Sequence, residues 1–110
     1  MKKIVDYLLE KRLILKSFKG ISPKSLNSRK KVKIYIGVDL ENYYTMVMQI
    51  EKKSRILQKE VEDFFALHKK LEEYIDSKIK RKRIIINAPL CSKAKKLFVE
   101  NGWKVHLDFS

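Results

Sequence analysis

The sequence of 110 residues contains little cysteine, glycine or proline, and each shortage excludes a class of protein. The single cysteine, Cys91, cannot form an internal disulfide or a site of several thiolates, which excludes disulfide-stapled folds and zinc fingers. Three glycines and two prolines exclude collagen-like and low-complexity chains. The longest runs without a charged residue, residues 42–50 and 84–92, span nine residues each, whereas a membrane-spanning helix needs about 20. We therefore expect one small globular domain that does not span a membrane.

The first residues of the chain resemble the start of an export signal, because two lysines precede an apolar pair. Asp6 and Glu10 then interrupt the apolar stretch that an export signal requires. A lone cysteine is also typical of proteins kept in a reducing compartment. These features predict a cytoplasmic protein.

Positive charge dominates the composition, with 26 Lys and Arg residues against 13 Asp and Glu, a net charge of +13 and an isoelectric point near 9.9. Residues 1–33 alone hold 11 of the basic and 2 of the acidic residues. So large a surplus on so small a body repels itself, and a polyanionic partner relieves the repulsion. Nucleic acid is therefore the first partner predicted, with an acidic membrane surface or an acidic protein as alternatives.

The basic residues predicted to bind nucleic acid fall into three clusters: the N-terminal segment, a basic run near residue 80, and the stretch after the cysteine. Each cluster has an ordinary structural explanation as well, since lysines also stabilise helix C-termini and solvate exposed faces. The predicted binding residues are Lys24, Arg29, Lys30, Lys31, Lys33, Lys80, Arg81, Lys82, Arg83, Lys93 and Lys96.

The N-terminal segment differs in pattern from the rest of the chain. Apolar residues at helical spacing predict an amphipathic helix from Lys2 to about Phe18. Residues 20–31 contain Gly, Pro, hydroxyl and basic residues without an apolar period, which predicts a mobile basic linker. We therefore expect residues 1–31 to form a helix and linker arm, and residues 32–110 to form an α/β domain. The helix could also dock onto a protein partner or a second copy of the chain.

The rest of the chain reads as strands and helices. Alternating apolar residues predict a hairpin of two strands, residues 32–39 and 43–50, and a short third strand at residues 55–57. Apolar steps of three and four predict a long helix over residues 59–80, and Ser92 is a good N-cap for a second helix that ends at Asn101 and Gly102. Further strands are predicted at residues 83–88 and 103–109.

These elements predict the order α-β-β-β-α-β-α-β. Strands joined by tight turns must run antiparallel, and strands separated by a helix run parallel to their neighbours. The expected fold class is therefore α/β, with a mixed five-stranded sheet and helices packed on it.

The run Tyr35–Asp39, followed by a hairpin, resembles the opening of the ribonuclease-H-like fold, as in RuvC-type resolvases and DEDD transposases. The closing stretch Lys96–Val105 is similar to those transposases as well. In that family the aspartate that ends the first strand shares two metal ions with further carboxylates, and Asp39 matches it. Asn87 stands where a second acid is expected, so the resemblance implies a degenerate, non-catalytic nucleic-acid-binding domain with its site near Asp39 and Asn87.

A second resemblance is to the PD-(D/E)XK nucleases, in which an acid on one strand precedes Glu-x-Lys on the next. Asp39 is followed after eleven residues by Glu51, with Lys53 two positions later. The resemblance implies that Asp39 and Glu51 hold Mg²⁺ and that Lys53 orients the attacking water. Glu10 could supply the extra acid that some members carry. A metal-dependent nuclease is thus the alternative function.

The remaining reactive residues predict less. His68 lies on the apolar stripe of the long helix and His106 stands alone on its strand, so neither indicates a metal site. Cys91 precedes a helix, which predicts a lowered thiol pKa without a partner for catalysis. Tyr43 and Tyr44 could stack on bases, although such pairs more often pack between strands.

Overall fold

The structure of the chain, a computed structural model, describes residues 4–10, 14–28 and 30–107, without the side chains of Val5 and Glu10. These residues form three α-helices, five strands and one short 3-10 helix. In chain order they are α1 (Ile4–Glu10), β1 (Lys16–Ile21), the 3-10 helix (Pro23–Leu26), β2 (Lys33–Val38), β3 (Tyr44–Glu51), α2 (Gln58–Ile75), β4 (Arg81–Asn87), α3 (Ser92–Glu100) and β5 (Trp103–His106).

All five strands form one mixed sheet, in the spatial order β1-β2-β3-β4-β5. β2 runs antiparallel to β3 across a short turn, and β1 runs antiparallel to β2 across a connection that contains the 3-10 helix. β4 and β5 run parallel to β3 because α2 and α3 serve as crossovers. The α/β class and the mixed five-stranded sheet predicted from the sequence are therefore confirmed.

The helices α2 and α3 cover one face of the sheet. Alternate residues of β2, β3 and β4 point into this core, and Met46, Met48 and Ile84 are completely buried in it. From α2 the apolar residues at steps of three and four pack against them: Val61, Phe64, Leu67 and Leu71. The chain reverses out of α2 at Asp76, whose left-handed backbone (φ 53°) lets its N–H bond the carbonyls of Glu72 and Glu73.

The short helix α1 covers the other face of the sheet. Tyr7 and Leu8 are buried there against Val47 of β3 and Ile85 of β4. Docking of this helix onto a protein partner or a second copy would thus need a different face of α1. Among the described residues, no helix is both long and apolar enough to cross a membrane.

The N-terminal segment departs from its prediction. The described helix is Ile4–Glu10, and Lys16–Ile21, within or beside the end of the predicted helix, form the edge strand β1. Pairing with β2 overrides the apolar spacing of this segment: the Phe18 ring stacks on Tyr35 at 5.1 Å between centroids. Residues 16–21, predicted in part as helix, thus belong to the five-stranded sheet.

The predicted linker and third strand also change. Within residues 20–31, the 3-10 helix Pro23–Leu26 buries Leu26 in the core, so this part is not an unstructured linker. The strand expected at residues 55–57 is reduced to a single bridge between Ile56 and Leu90, and β1 takes the third antiparallel place instead. The last strand ends at His106, Leu107 is not part of it, and residues 108 and 109 of the predicted strand lie outside the described residues.

Candidate nucleic-acid interface

Asp39 lies in the turn between β2 and β3. Its Oδ1 accepts hydrogen bonds from the backbone N–H groups of Glu41 and Tyr43, both at 2.9 Å. Its Oδ2 accepts a hydrogen bond from Arg81 Nε at 2.8 Å, and the same guanidinium reaches Glu41 at 3.4 Å. The carboxylate therefore fastens the hairpin turn to the start of β4.

The same contacts set the ionisation of this carboxylate. The N–H of Tyr43 lowers the pKa of Asp39 most, and Arg81 and the N–H of Glu41 lower it further, while burial partly opposes them. Each of these partners donates to the charged form. Asp39 is thus an ionised carboxylate whose hydrogen-bonding capacity is used within the chain.

Glu51 lies at the opposite end of β3. Seven residue steps separate Tyr44 from Glu51, which at about 3.3 Å per residue places the two ends of the strand roughly 23 Å apart. Oxygen ligands lie about 2–2.5 Å from a magnesium or calcium ion, so Asp39 and Glu51 cannot share one. Lys53, just beyond β3, lies at the Glu51 end. The catalytic set Asp39, Glu51 and Lys53 is therefore not brought together.

The donor set for a divalent metal is incomplete wherever the chain is described. Within residues 4–10, 14–28 and 30–107, no group of three His, Cys, Asp or Glu residues lies close enough to hold a metal ion. The Glu10 side chain, considered as an extra acid, lies outside the described residues. The two predicted ligands, Asp39 and Glu51, therefore do not form a joint Mg²⁺ site in the described part of the chain.

A surface cleft of about 290 Å³ lies at the Glu51 end, where β2 begins and β3 ends. Lys31, Lys33, Gln49 and Glu51 line it. Lys33 pairs with Gln49 in the β2–β3 register, so their side chains emerge side by side on the α1 face of the sheet. On the other side, Glu51 pairs with Asn87 at the end of the parallel strand β4. The cleft thus occupies the carboxyl edge of the parallel strands, where α/β sheets commonly bind ligands.

Lys31 and Lys33 are exposed, and neither forms an ion pair with any residue in the described part of the chain. Glu51 is the one carboxylate among the described residues that line the cleft. Two cations facing one anion leave a positive surplus in a concave surface.

Lys30 and Lys52 flank the residues of the cleft in sequence, but each forms an ion pair with an acid of α2 instead. Lys52 Nζ donates to both oxygens of Glu60 at 2.8 and 2.9 Å. Burial is the largest single influence and raises the pKa of Glu60, but the hydrogen bond and charge of Lys52, a backbone hydrogen bond at Leu57 and the charge of Lys30 together hold the pKa below its usual value. Lys30 Nζ donates to Asp63 at 3.3 Å and lies 4.9 Å above the ring of Phe64. Both lysines thus anchor loops to α2.

Several other basic residues predicted to bind nucleic acid also have partners within the chain. Lys82 Nζ donates to the carbonyl of Asn101 at 3.0 Å, and Lys96 lies 3.8 Å from Glu100. Arg83 is half-buried, with Nη1 3.2 Å from His106 Nε2, and burial lowers its pKa. Arg29 lies outside the described residues. The predicted residues whose side chains form neither an ion pair nor a hydrogen bond with a described residue are Lys24, Lys31, Lys33, Lys80 and Lys93.

Gln49 was not predicted as part of the site. Its place in the strand could have indicated it. Gln49 is a polar residue on the α1 face of a strand whose residues are mostly apolar. A strand buried on both faces in its middle exposes such a residue near its end. Alternation along β3 could therefore have pointed to Gln49 and Glu51 together.

His68 is half-buried on α2, and Cys91 has the lowered thiol pKa that its place before a helix predicts. Burial lowers the pKa of His68, which lies edge-on to Trp103 with the ring centroids 6.0 Å apart. The backbone N–H groups of Ala94 and then Lys93 lower the pKa of the Cys91 thiol at the start of α3. Neither residue borders the cleft.

No model of a known protein family and no curated protein sequence matches the chain. Two solved structures are similar to it. The structure of EndoMS in its apo form has a TM-score of 0.60 and 16% identity over 97% of this chain. The crystal structure of a repair endonuclease from Pyrococcus abyssi has a TM-score of 0.53 and 20% identity over 94% of this chain. The chain spans 45% and 44% of those two proteins, and at these identities the likeness concerns the fold alone, which is a nuclease-like α/β fold.

Proposed function

We propose that this chain is a nucleic-acid-binding domain of nuclease-like fold, and that its cleft holds phosphates of the nucleic-acid backbone. The observation that carries the proposal is the pair Lys31 and Lys33, exposed in a concave site without an ion pair to any described acid. Cations concentrated in a cleft attract a phosphate chain and release its counterions on binding.

The other residues of the cleft suit the same ligand. The Gln49 amide lies beside Lys33 in the strand register and can donate a hydrogen bond to a phosphate oxygen. Glu51 repels a phosphate, which limits how deeply a nucleic-acid backbone enters the cleft at its β3 end. Backbone contacts of this kind position a duplex or a single strand without reading its sequence.

The structure also bears on the two families that the sequence resembles. The ribonuclease-H-like resemblance assigns Asp39 to the end of the first strand, whereas it follows the second strand, β2. The likeness to two nuclease structures is consistent with the PD-(D/E)XK resemblance. The distance between Asp39 and Glu51 favours binding without catalysis by those residues.

The binding experiment measures the affinity of the full chain for labelled single-stranded and duplex DNA and RNA at 50 and 200 mM salt. We expect the affinity to fall with salt, by roughly 10³-fold if about six phosphates are contacted. The double variant Lys31→Ala/Lys33→Ala should weaken binding by about tenfold and reduce the salt slope by roughly 2, since each phosphate contact contributes about 1. The matched control, Lys69→Ala/Lys70→Ala on the exposed side of α2, loses the same charge outside the cleft.

Two results would overturn the proposal. One is the absence of binding at 50 mM salt, and the other is an equal loss of affinity in the cleft variant and in the α2 control. The second result would show that net charge, and not the cleft, determines binding.

The alternative function, a metal-dependent nuclease, is tested by incubating the chain and a nucleic-acid substrate with Mg²⁺ or Mn²⁺. We expect no cleavage that depends on Asp39 and Glu51. Cleavage by the wild-type chain that is lost in Glu51→Ala would establish the nuclease instead. Equal cleavage by wild type, Asp39→Ala and Glu51→Ala would assign the chemistry to other residues.

A further inference from the structure

A second and larger pocket, of about 630 Å³, opens at the other end of β3. It lies on the α2 face of the sheet, where the end of α2 overhangs the start of β3. Tyr44 and Tyr74 line it together with Lys19, Ser17, Ile36 and Ile75. Its volume lies in the range of sites that hold small organic groups, roughly 300–1,000 Å³.

The two aromatic residues of this pocket are only partly covered by the rest of the chain, although Tyr44 also packs against the core. Tyr74, in the last turn of α2, is 55% exposed, and Tyr44, at the first position of β3, is half-buried. Nearby, Tyr43 is 40% exposed and lies under the ammonium of Lys80, 5.0 Å from its ring centroid. Tyr74 and Tyr44 line the pocket together, whereas Tyr43 is not among its lining residues, and partly exposed rings in one pocket indicate a binding surface.

Positive charge accompanies these rings. Of the described residues that line the pocket, Lys19 is the one that carries a charge. Lys80 adjoins it, because its backbone N–H bonds the carbonyl of Tyr44 at 3.1 Å. The charge of Arg81, by contrast, is matched by Asp39 and Glu41. Rings interleaved with lysines complement a nucleotide, whose base offers a flat face and whose phosphate is anionic.

We propose that this pocket takes an unpaired base of a single-stranded nucleic acid, stacked on Tyr74 and Tyr44, while Lys19 and Lys80 contact the flanking phosphates. The inference rests on the proposed function and deepens it, since it names a single strand as the substrate class. A base held in a duplex is stacked and paired, so its faces cannot reach the tyrosines without being extruded.

The test compares three ligands: a single-stranded oligothymidylate, the same strand with abasic positions, and a blunt duplex. Stacking of one base on an aromatic ring is worth enough that Tyr74→Ala should weaken single-strand binding by roughly tenfold or more. It should leave duplex binding unchanged and abolish the preference for the strand with bases over the abasic strand. Tyr74→Phe keeps the ring and should bind as the wild type does. Val99→Ala, an exposed apolar truncation on α3, is the control.

A second measurement locates the base directly. A single strand carrying 5-iodouracil, irradiated in complex with the full chain, should crosslink to Tyr74 or Tyr44. Crosslinks found elsewhere on the surface would overturn the inference, as would equal losses of duplex and single-strand affinity in Tyr74→Ala.

The two proposals fail in different ways. If the wild-type chain binds no oligonucleotide at 50 mM salt, both are wrong. If it binds with the expected salt dependence and responds to Lys31→Ala/Lys33→Ala, but Tyr74→Ala binds all three ligands as the wild type does, the tyrosine pocket alone is excluded.

Discussion

At the amino end of β3, Arg81 is bound by Asp39 at 2.8 Å and lies 3.4 Å from Glu41, so its charge is balanced within the chain. At the carboxyl end, Lys31 and Lys33 share the cleft with Glu51, and neither lysine pairs with a described acid. Basic and acidic residues thus lie at both ends of β3. At the amino end they pair with one another, whereas at the carboxyl end the two lysines have no ion pair to a described acid. Both acids of the nuclease resemblance lie here, one at each end.

This difference shows that the fold, and not the local density of lysine and arginine, decides which basic residues are available to a partner. The run of basic residues near position 80 is dense in sequence, yet Arg81, Lys82 and Arg83 all have partners within the chain. Lys31 and Lys33 adjoin the paired Lys30 in sequence. They are available to a partner because they lie at or just before the start of β2, where the cleft opens.

The largest expected effect concerns the packing between the two ends of β3, where α1 covers Val47. Leu8→Ala should lower the free energy of unfolding by about 2–5 kcal/mol, because it removes a buried side chain from the cluster with Val47 and Ile85. Leu9→Ala, at a 54% exposed neighbour, should change it by less than about 0.5 kcal/mol. Urea unfolding of both variants measures the difference.

Equal stability of Leu8→Ala and Leu9→Ala would show that α1 is not part of the core. The N-terminal segment would then be an independent arm after all, as its sequence pattern predicts. The middle of β3, between its two ends, would then not be packed against α1.

The second prediction contrasts the two acids directly. Asp39→Ala should lower the midpoint of thermal unfolding by several degrees, because two backbone N–H groups and Arg81 lose their acceptor. Glu51→Ala, at an exposed position, should leave the midpoint essentially unchanged. A larger loss of stability in Glu51→Ala than in Asp39→Ala would reverse the assignment of the structural acid.

The third prediction concerns acid pH. The folded pKa of Asp39 lies below its ordinary value of 3.8, so the carboxylate stabilises the fold above that pH, and this contribution is lost as the pH falls through the folded pKa. Asp39→Asn, which keeps an oxygen acceptor but removes the charge, should make stability depend less on pH below about 4.

Calorimetry between pH 2 and pH 6 measures this effect. Glu60→Gln provides a comparison, because the pKa of Glu60 is also lowered and its loss should flatten the curve at slightly higher pH. A wild-type stability that is unchanged from pH 6 to pH 2 would exclude both contributions.

Much of the fold could be predicted because it is encoded locally. The strands around Ile36 and Met48 and the helix around Phe64 have strong apolar periods, and the structure has the same elements there. Residues 16–21 have only Phe18 and Ile21 as large apolar residues, at a spacing that suits a helix. Their strand conformation depends on pairing with β2, which is a nonlocal contact and leaves little local signal.

The site was less predictable for the same reason. Arg81 donates a hydrogen bond to Asp39, 42 positions away in the sequence, and Lys30 donates one to Asp63, 33 positions away. The separation of Asp39 and Glu51, by contrast, already follows from the predicted hairpin of residues 32–39 and 43–50, which puts Asp39 at the turn and Glu51 at the far end. Which end of a strand an acid occupies depends on where the turn falls, and Asp39 itself forms that turn.

The smallest expected effect lies in the cleft and bears most directly on its function. Glu51→Gln should raise the affinity for single-stranded and duplex nucleic acid by about threefold at 50 mM salt, because it removes one repulsive charge from a site that holds phosphates. The gain should shrink at 200 mM salt, where screening weakens interactions between exposed charges. Glu62→Gln, an exposed position on α2, changes the net charge equally and is the control. If Glu51 instead held a metal ion that bridged the chain to phosphate, Glu51→Gln would lower the affinity in Mg²⁺. The sign of this one change therefore distinguishes a phosphate-binding cleft from a metal-binding one.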